Sequence, residues 1–172
     1  MPIERVGHVA IKMRDLDAAK RFYGDILGMK IIAEVKGVGV FFGFQEWPDD
    51  IAVLKVGDDA ESPQPNQVGL AHIALRTDSF ATVKAMYQRL KEHNVTIVRA
   101  VDHGVTKSVY CLDPEGNQIE IFCAVPEVDW RAFMKKVEEA KTLERLFEKS
   151  SIGGISSVHW RDGHETIPYR PH

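Results

Sequence analysis

Gly7-His8-Val9-Ala10-Ile11-Lys12 and Ala71-His72-Ile73-Ala74-Leu75-Arg76 are two versions of one phrase, set 64 residues apart. The match continues at the same offset: Leu16 meets Phe80, Lys20 meets Lys84, Phe22 meets Met86, Tyr23 meets Tyr87 and Ile26 meets Leu90. Self-similarity at a fixed offset marks a duplicated structural unit. Each copy opens with alternation, which predicts a half-buried strand. Val9 and Ile11 oppose His8, Ala10 and Lys12, and Ile73 and Leu75 oppose His72, Ala74 and Arg76. A helical stripe follows in each copy. Leu16, Ala19, Phe22, Tyr23, Ile26 and Leu27 form the first, with Asp15 as N-cap and Gly28 as stop; Phe80, Val83, Met86, Tyr87 and Leu90 form the second.

Three strand-like runs follow each helix. They lie near 30–35, 38–44 and 51–56 in the first copy, and near 96–101, 108–112 and 118–123 in the second. Asp113-Pro114-Glu115-Gly116-Asn117 joins the last two runs as a tight turn. Two βαβββ modules are therefore predicted, about 4–57 and about 68–124, with 58–67 as linker. One module is too small to cover both faces of its sheet, so the expected fold is α+β, with the two modules paired in one cupped mixed-sheet domain over 1–125. Residues 126–172 are expected to add a helix, with Trp130, Phe133, Met134, Val137, Ala140, Leu143, Leu146 and Phe147 on one face, and a tail holding His159, Trp160, His164 and Tyr169.

Composition narrows the function classes. The 172 residues carry 22 Lys+Arg against 25 Asp+Glu, 44% hydrophobic and 27% charged residues, as an ordinary globular chain does. A net charge of −3 argues against a nucleic-acid partner. The apolar runs are too short for a membrane helix, and Met-Pro-Ile-Glu-Arg has no signal-peptide layout. Cys111 and Cys123 are too few for a disulfide framework and read as buried hydrophobes. A cytoplasmic protein is expected.

The repeat changes the weight of three polar residues. A single strand His is ordinarily a hydrogen-bonded structural residue, and a single strand Glu ordinarily faces water. His8 and His72 sit at matching places, and paired modules would bring them to one cavity. Glu120 alternates against Ile119 and Ile121 and needs a partner if buried. Two imidazoles and one carboxylate leave open positions on a metal, as in non-haem Fe(II) oxygen-activating sites; Mn(II), Zn(II) and Ni(II) also suit these ligands.

Taken together, Gly7-His8-Val9-Ala10-Ile11, Asp25-Ile26-Leu27-Gly28-Met29, Ala71-His72-Ile73-Ala74-Leu75 and Asp113-Pro114-Glu115-Gly116-Asn117-Gln118-Ile119-Glu120 resemble the vicinal oxygen chelate superfamily. That superfamily includes glyoxalase I, fosfomycin-resistance proteins, methylmalonyl-CoA epimerase and type I extradiol dioxygenases. The resemblance spans about residues 4–124. It implies His8, His72 and Glu120 as metal ligands. Glyoxalase I has a fourth ligand, a Glu on the last strand of its first module, whereas Ile51-Ala52-Val53-Leu54-Lys55-Val56 has no carboxylate or amide there.

Asp102-His103-Gly104-Val105-Thr106-Lys107-Ser108-Val109-Tyr110 is similar to the segment before the Glu ligand of single-domain extradiol dioxygenases. The resemblance implies that Tyr110 hydrogen-bonds a substrate oxygen and that His103 handles protons near bound oxygen. Tyr110 and Glu120 are 10 residues apart, which predicts adjoining hairpin strands. One departure is Asp49-Asp50, where many such dioxygenases carry a further His. Fosfomycin-type proteins share the His–His–Glu pattern but usually lack the Asp-His-Gly run. The expected activity is Fe(II)-dependent ring cleavage of a catechol-type diol with O2, in a homodimer or higher homo-oligomer. The alternatives are another metal-dependent superfamily enzyme (glyoxalase-like lyase, epimerase or thiol transferase), or a non-catalytic drug-binding module. Phe41, Phe42, Phe44, Trp47 and Phe122 are candidate pocket residues.

Overall fold

The structure, a computed structural model, describes residues 5–44, 49–64, 66–126, 128–129 and 131–132. Trp47 and the expected C-terminal helix and tail, including His159 and His164, lie outside the described residues. The chain divides into two compact units. One runs to Gly69 and takes in Asp113–Asn117; the other holds Leu70–Leu112 and the residues from Gln118 on.

In the first unit, β1 (Val9–Met13), β2 (Lys30–Val35), β3 (Gly39–Gly43) and β4 (Ile51–Lys55) form a mixed sheet in the order β1-β4-β3-β2, with β1 parallel to β4. The alternation in β1 has its expected effect: Ile11 and Met13 are buried, while Ala10 and Lys12 are exposed. Asp15 caps α1 (Leu16–Ala19) by accepting from the backbone N–H groups of Asp17 and Ala18. The stripe predicted from Leu16 to Leu27 is not α-helical throughout. From Lys20 to Ile26 the chain widens into a π-helical stretch, with Leu27 N–H donating to Phe22 C=O five residues back. The wider turn keeps Ala19, Phe22, Tyr23 and Leu27 buried together. Gly28 then stops the helix at φ +78°, a backbone conformation that suits glycine.

Tyr23 shows what the wider turn positions. Its hydroxyl donates to Asp113 Oδ2 at 2.8 Å, and its ring packs on Phe22 and Phe42. Arg14 forms an ion pair with Glu115 through Nε and Nη2, and its backbone N–H donates to Glu115 Oε1. These bonds account for the membership of Asp113–Asn117 in the first unit.

The second unit repeats the plan. β5 (Ile73–Arg76), β6 (Ile97–Asp102), β7 (Thr106–Leu112) and β8 (Gln118–Ala124) pair in the order β5-β8-β7-β6, with β5 parallel to β8. Ser79 caps α2 (Phe80–Glu92), and His93 closes it as an exposed C-cap. Val83 and Leu90 on α2, and Val109, Cys111, Ile119 and Ile121 on β7 and β8, are buried. Each such aliphatic side chain contributes about 1.5–3 kcal/mol on burial. Both cysteines are free and buried, as expected.

The two sheets agree residue by residue. In the first, Ala10 pairs Ala52, Ala52 pairs Phe41, and Phe41 pairs Ala33. In the second, Ala74 pairs Glu120, Glu120 pairs Tyr110, and Tyr110 pairs Arg99. Each sheet even has a register shift just before the last residue of its row, between Ile31 and Ala33 and between Ile97 and Arg99. The duplicated architecture is thus matched at the level of register, while the residues filling it have diverged.

Candidate metal centre

One face of the second sheet packs its aliphatic residues, and the other collects polar groups. The even spacing from Tyr110 to Glu120 puts them directly opposite each other on β7 and β8. Ser108 precedes Tyr110 by two residues and shares its face; it donates its hydroxyl to Glu120 Oε1 at 2.6 Å. His72 ends the segment just before β5, one residue earlier than a strand position. Its Nε2 lies 3.1 Å from Glu120 Oε2. Glu120 is 8% exposed, so its carboxylate has protein partners in place of water.

Two donor atoms that each lie about 2.1 Å from one ion at a right angle are roughly 3 Å apart. The His72–Glu120 separation meets that spacing, so the pair fits a divalent metal as two of its ligands. Ser108 engages one carboxylate oxygen and leaves Oε2 facing His72, as an outer hydrogen bond would if the pair held a metal.

Tyr110 links this pair to His103. The Tyr110 hydroxyl lies 3.1 Å from His103 Nε2, and either atom could donate. Its ring meets His72 edge-on at 5.6 Å. Burial, then the hydrogen bond to Glu120 and the Glu120 charge, push the Tyr110 hydroxyl up to about 12. It is therefore a proton donor at neutral pH. Burial lowers the His103 pKa below the ordinary histidine value; Glu120 opposes this, and the nearby Arg99 charge adds to it. His103 is set by a turn: its N–H donates to Thr106 C=O, and Asp102 accepts from Gly104 N–H, with Gly104 at φ +79°.

In the first unit, His8 precedes β1 just as His72 precedes β5, and its side chain is 50% exposed. Its Nδ1 lies 3.7 Å from Asp49 Oδ2, a buried oxygen with no hydrogen-bond partner among the described residues. That separation is within ion-pair range but too long for a hydrogen bond. Asp50 does a different job. It accepts from Phe44 N–H and exchanges backbone bonds with Phe42 and Val9, closing the approach to β4. Among the described residues, no group of three or more His, Cys, Asp or Glu side chains is gathered for a metal; His72 and Glu120 are brought together as a pair.

A model of the Glyoxalase/Bleomycin resistance protein/Dioxygenase superfamily matches residues 5–121. The chain belongs to that superfamily. Within it, the chain is 27% identical over 117 residues to biphenyl-2,3-diol 1,2-dioxygenase 2 of Rhodococcus globerulus, covering 68% of this chain and 61% of that protein. It is 28% identical over 123 residues to the metallothiol transferase FosB of Staphylococcus saprophyticus, covering 69% and 76%. The chain thus spans less than two thirds of the dioxygenase relative. The crystal structure of lactoylglutathione lyase from Agrobacterium tumefaciens superposes with a TM-score of 0.57 at 24% identity, over 72% of this chain and 96% of that one, which shows the superfamily fold. Among the described residues, no helix is long and apolar enough to cross a membrane.

Sequence reasoning missed Ser108 and Arg99. Both lie on the Glu120 face, and the alternation of β7 and β6 was the available signal for them.

Proposed function

We propose that the protein is an extradiol dioxygenase acting on a catechol-type aromatic diol, with Fe(II) held by His8, His72 and Glu120. The observation that carries this reading is the His103–Tyr110 hydrogen bond beside the His72–Glu120 pair. When bound, the metal supplies Lewis acidity and a template for the diol and O2. The chain's own residues supply the rest. Tyr110, protonated at neutral pH, donates to a diol oxygen. His103, neutral by burial, takes the proton that the diol gives up and returns one as the ring opens. Both atoms of O2 end in the product, so no outside reductant is needed.

His8 enters as third ligand through the repeat, at the place in the first module that matches His72 in the second. Ala52, the register counterpart of Glu120, weighs against a glyoxalase-type site with four protein ligands. The dioxygenase relative supports ring cleavage, and the FosB relative makes thiol transfer the rival. A cytoplasmic location and a homodimer or higher homo-oligomer complete the reading.

The test is reconstitution with Fe(II) without air, followed by air and a panel of catechols. Oxygen uptake with a yellow ring-opened product is expected. No uptake with any diol would sink the reading, and turnover of an epoxide with a thiol would favour the rival.

A further inference from the structure

The Glu120 face carries one charge more than the proposed ligand and proton-transfer set uses. Arg99 on β6 stands opposite Tyr110, which stands opposite Glu120, so the three make one cross-strand row. Its guanidinium carbon lies 4.1 Å from the Tyr110 ring centroid, a stacking contact that holds the cation in place. Its side-chain hydrogen bond goes to the neutral amide oxygen of Gln118 at 3.4 Å. Among the described residues, Arg99 has no carboxylate in ion-pair range. Its remaining hydrogen bond is to the Tyr110 hydroxyl, so among the described residues this half-buried guanidinium with five donors has only neutral partners and no anion.

The repeat provides an internal control. The matching row of the first sheet is Ala33–Phe41–Ala52, with no charge at all, so Arg99 is not inherited from the duplicated framework. The register shift just before Arg99 is the kind of irregularity that re-aims a side chain.

We propose that Arg99 is an anion subsite that takes a carboxylate borne on the substrate ring, so that the preferred substrates are acidic catechols. The proposal rests on the diol reading above. Two strand spacings put the Arg99 backbone about 10 Å from that of Glu120 with Tyr110 between them, so an aromatic ring lying over the Tyr110 side chain would reach from a metal-bound diol to the guanidinium. The charges also fit. A divalent ion is balanced by Glu120 and a singly ionised diol, which leaves Arg99 for a second anionic group. Guanidinium and carboxylate can then pair through two parallel hydrogen bonds.

The test is calorimetric titration of the metal-loaded protein without air, using three probes: methylcatechol, protocatechuate (a catechol bearing a carboxylate) and benzoate. Wild type is expected to bind protocatechuate at least about tenfold tighter than methylcatechol. Arg99→Gln should erase that preference by weakening protocatechuate at least about tenfold more than methylcatechol, and Arg99→Lys should keep part of it. Equal affinities in wild type would overturn the proposal. So would a uniform loss for all probes in Arg99→Gln, which would mean that Arg99 only supports Tyr110. Benzoate binding that depends on Arg99, with no methylcatechol binding, would keep the subsite and sink the diol reading. Methylcatechol binding without any carboxylate preference would do the reverse, and binding of none of the probes would sink both.

Discussion

Ser108 donates a 2.6 Å hydrogen bond to Oε1 of Glu120 from the neighbouring strand, and it does so from a fully buried position. Outer hydrogen bonds of this kind commonly affect metal affinity 10- to 100-fold. Ser108→Ala is therefore expected to weaken metal binding by about that factor, read as the metal concentration that half-saturates the protein. His72→Ala, which would remove one of the proposed ligands, should lower bound metal further in elemental analysis. Undiminished metal content in His72→Ala would remove that residue from the centre.

The His103–Tyr110 contact leads to a kinetic expectation. Loss of a positioned general acid–base group costs about 10²- to 10⁴-fold. His103→Asn should lower kcat within that range and leave metal content unchanged. The His103 pKa lies below its ordinary value of 6.5, so the neutral ring persists to lower pH in the fold than in the unfolded chain. The acid limb of kcat/KM should accordingly fall below pH 6.5. An acid limb above that pH would contradict the buried, neutral assignment.

Much of this was legible in the sequence, for physical reasons. The repeat could be read because strand alternation and helical stripes are local, and each left its period in the chain. Tyr110 and Glu120 could be paired because an even spacing across a tight turn puts both residues on one face. The π-helical widening at Lys20–Ile26 could not be read, because a stripe of Ala19, Phe22, Tyr23 and Leu27 satisfies the α-helical period equally well. Alternation in β6 offered a face for Arg99 but not its place opposite Tyr110, because that depends on a register, which is a property of two strands together. The separation of His72 from Glu120 was hidden for the same reason.

The Arg14–Glu115 pair gives a pH-dependent stability. Burial alone would raise the Glu115 pKa, but the hydrogen bonds from the Arg14 side chain and backbone, with its charge, bring it below its ordinary value of 4.5. Between the folded and unfolded pKa values the unfolded chain binds more protons. The contribution is therefore present above pH 4.5 and is lost as pH falls through the lowered folded value. In urea unfolding, wild type should lose stability across that acid window. Glu115→Gln should start from a lower midpoint at pH 7 and show a shallower acid loss.

Two glycines two residues apart should respond to substitution in different ways. Gly37 lies in the turn between β2 and β3 at φ +73°, with open space around a would-be side chain. Gly37→Ala is therefore penalised by backbone conformation alone, by about 1–2 kcal/mol, and Gly37→Asn should recover part of that loss. Gly39 has no such φ, but a Cβ there would stand 2.6 Å from the Val53 carbonyl oxygen and 3.2 Å from Leu54. That oxygen is fixed by the β3–β4 pairing, so it cannot swing aside as a flexible side chain would. Gly39→Ala should cost about 1–3 kcal/mol through overpacking, and Asn there should be worse than Ala. Chemical denaturation of the four variants separates the two causes. Recovery by Asn at position 39 would mean that conformation, not space, selects glycine in β3.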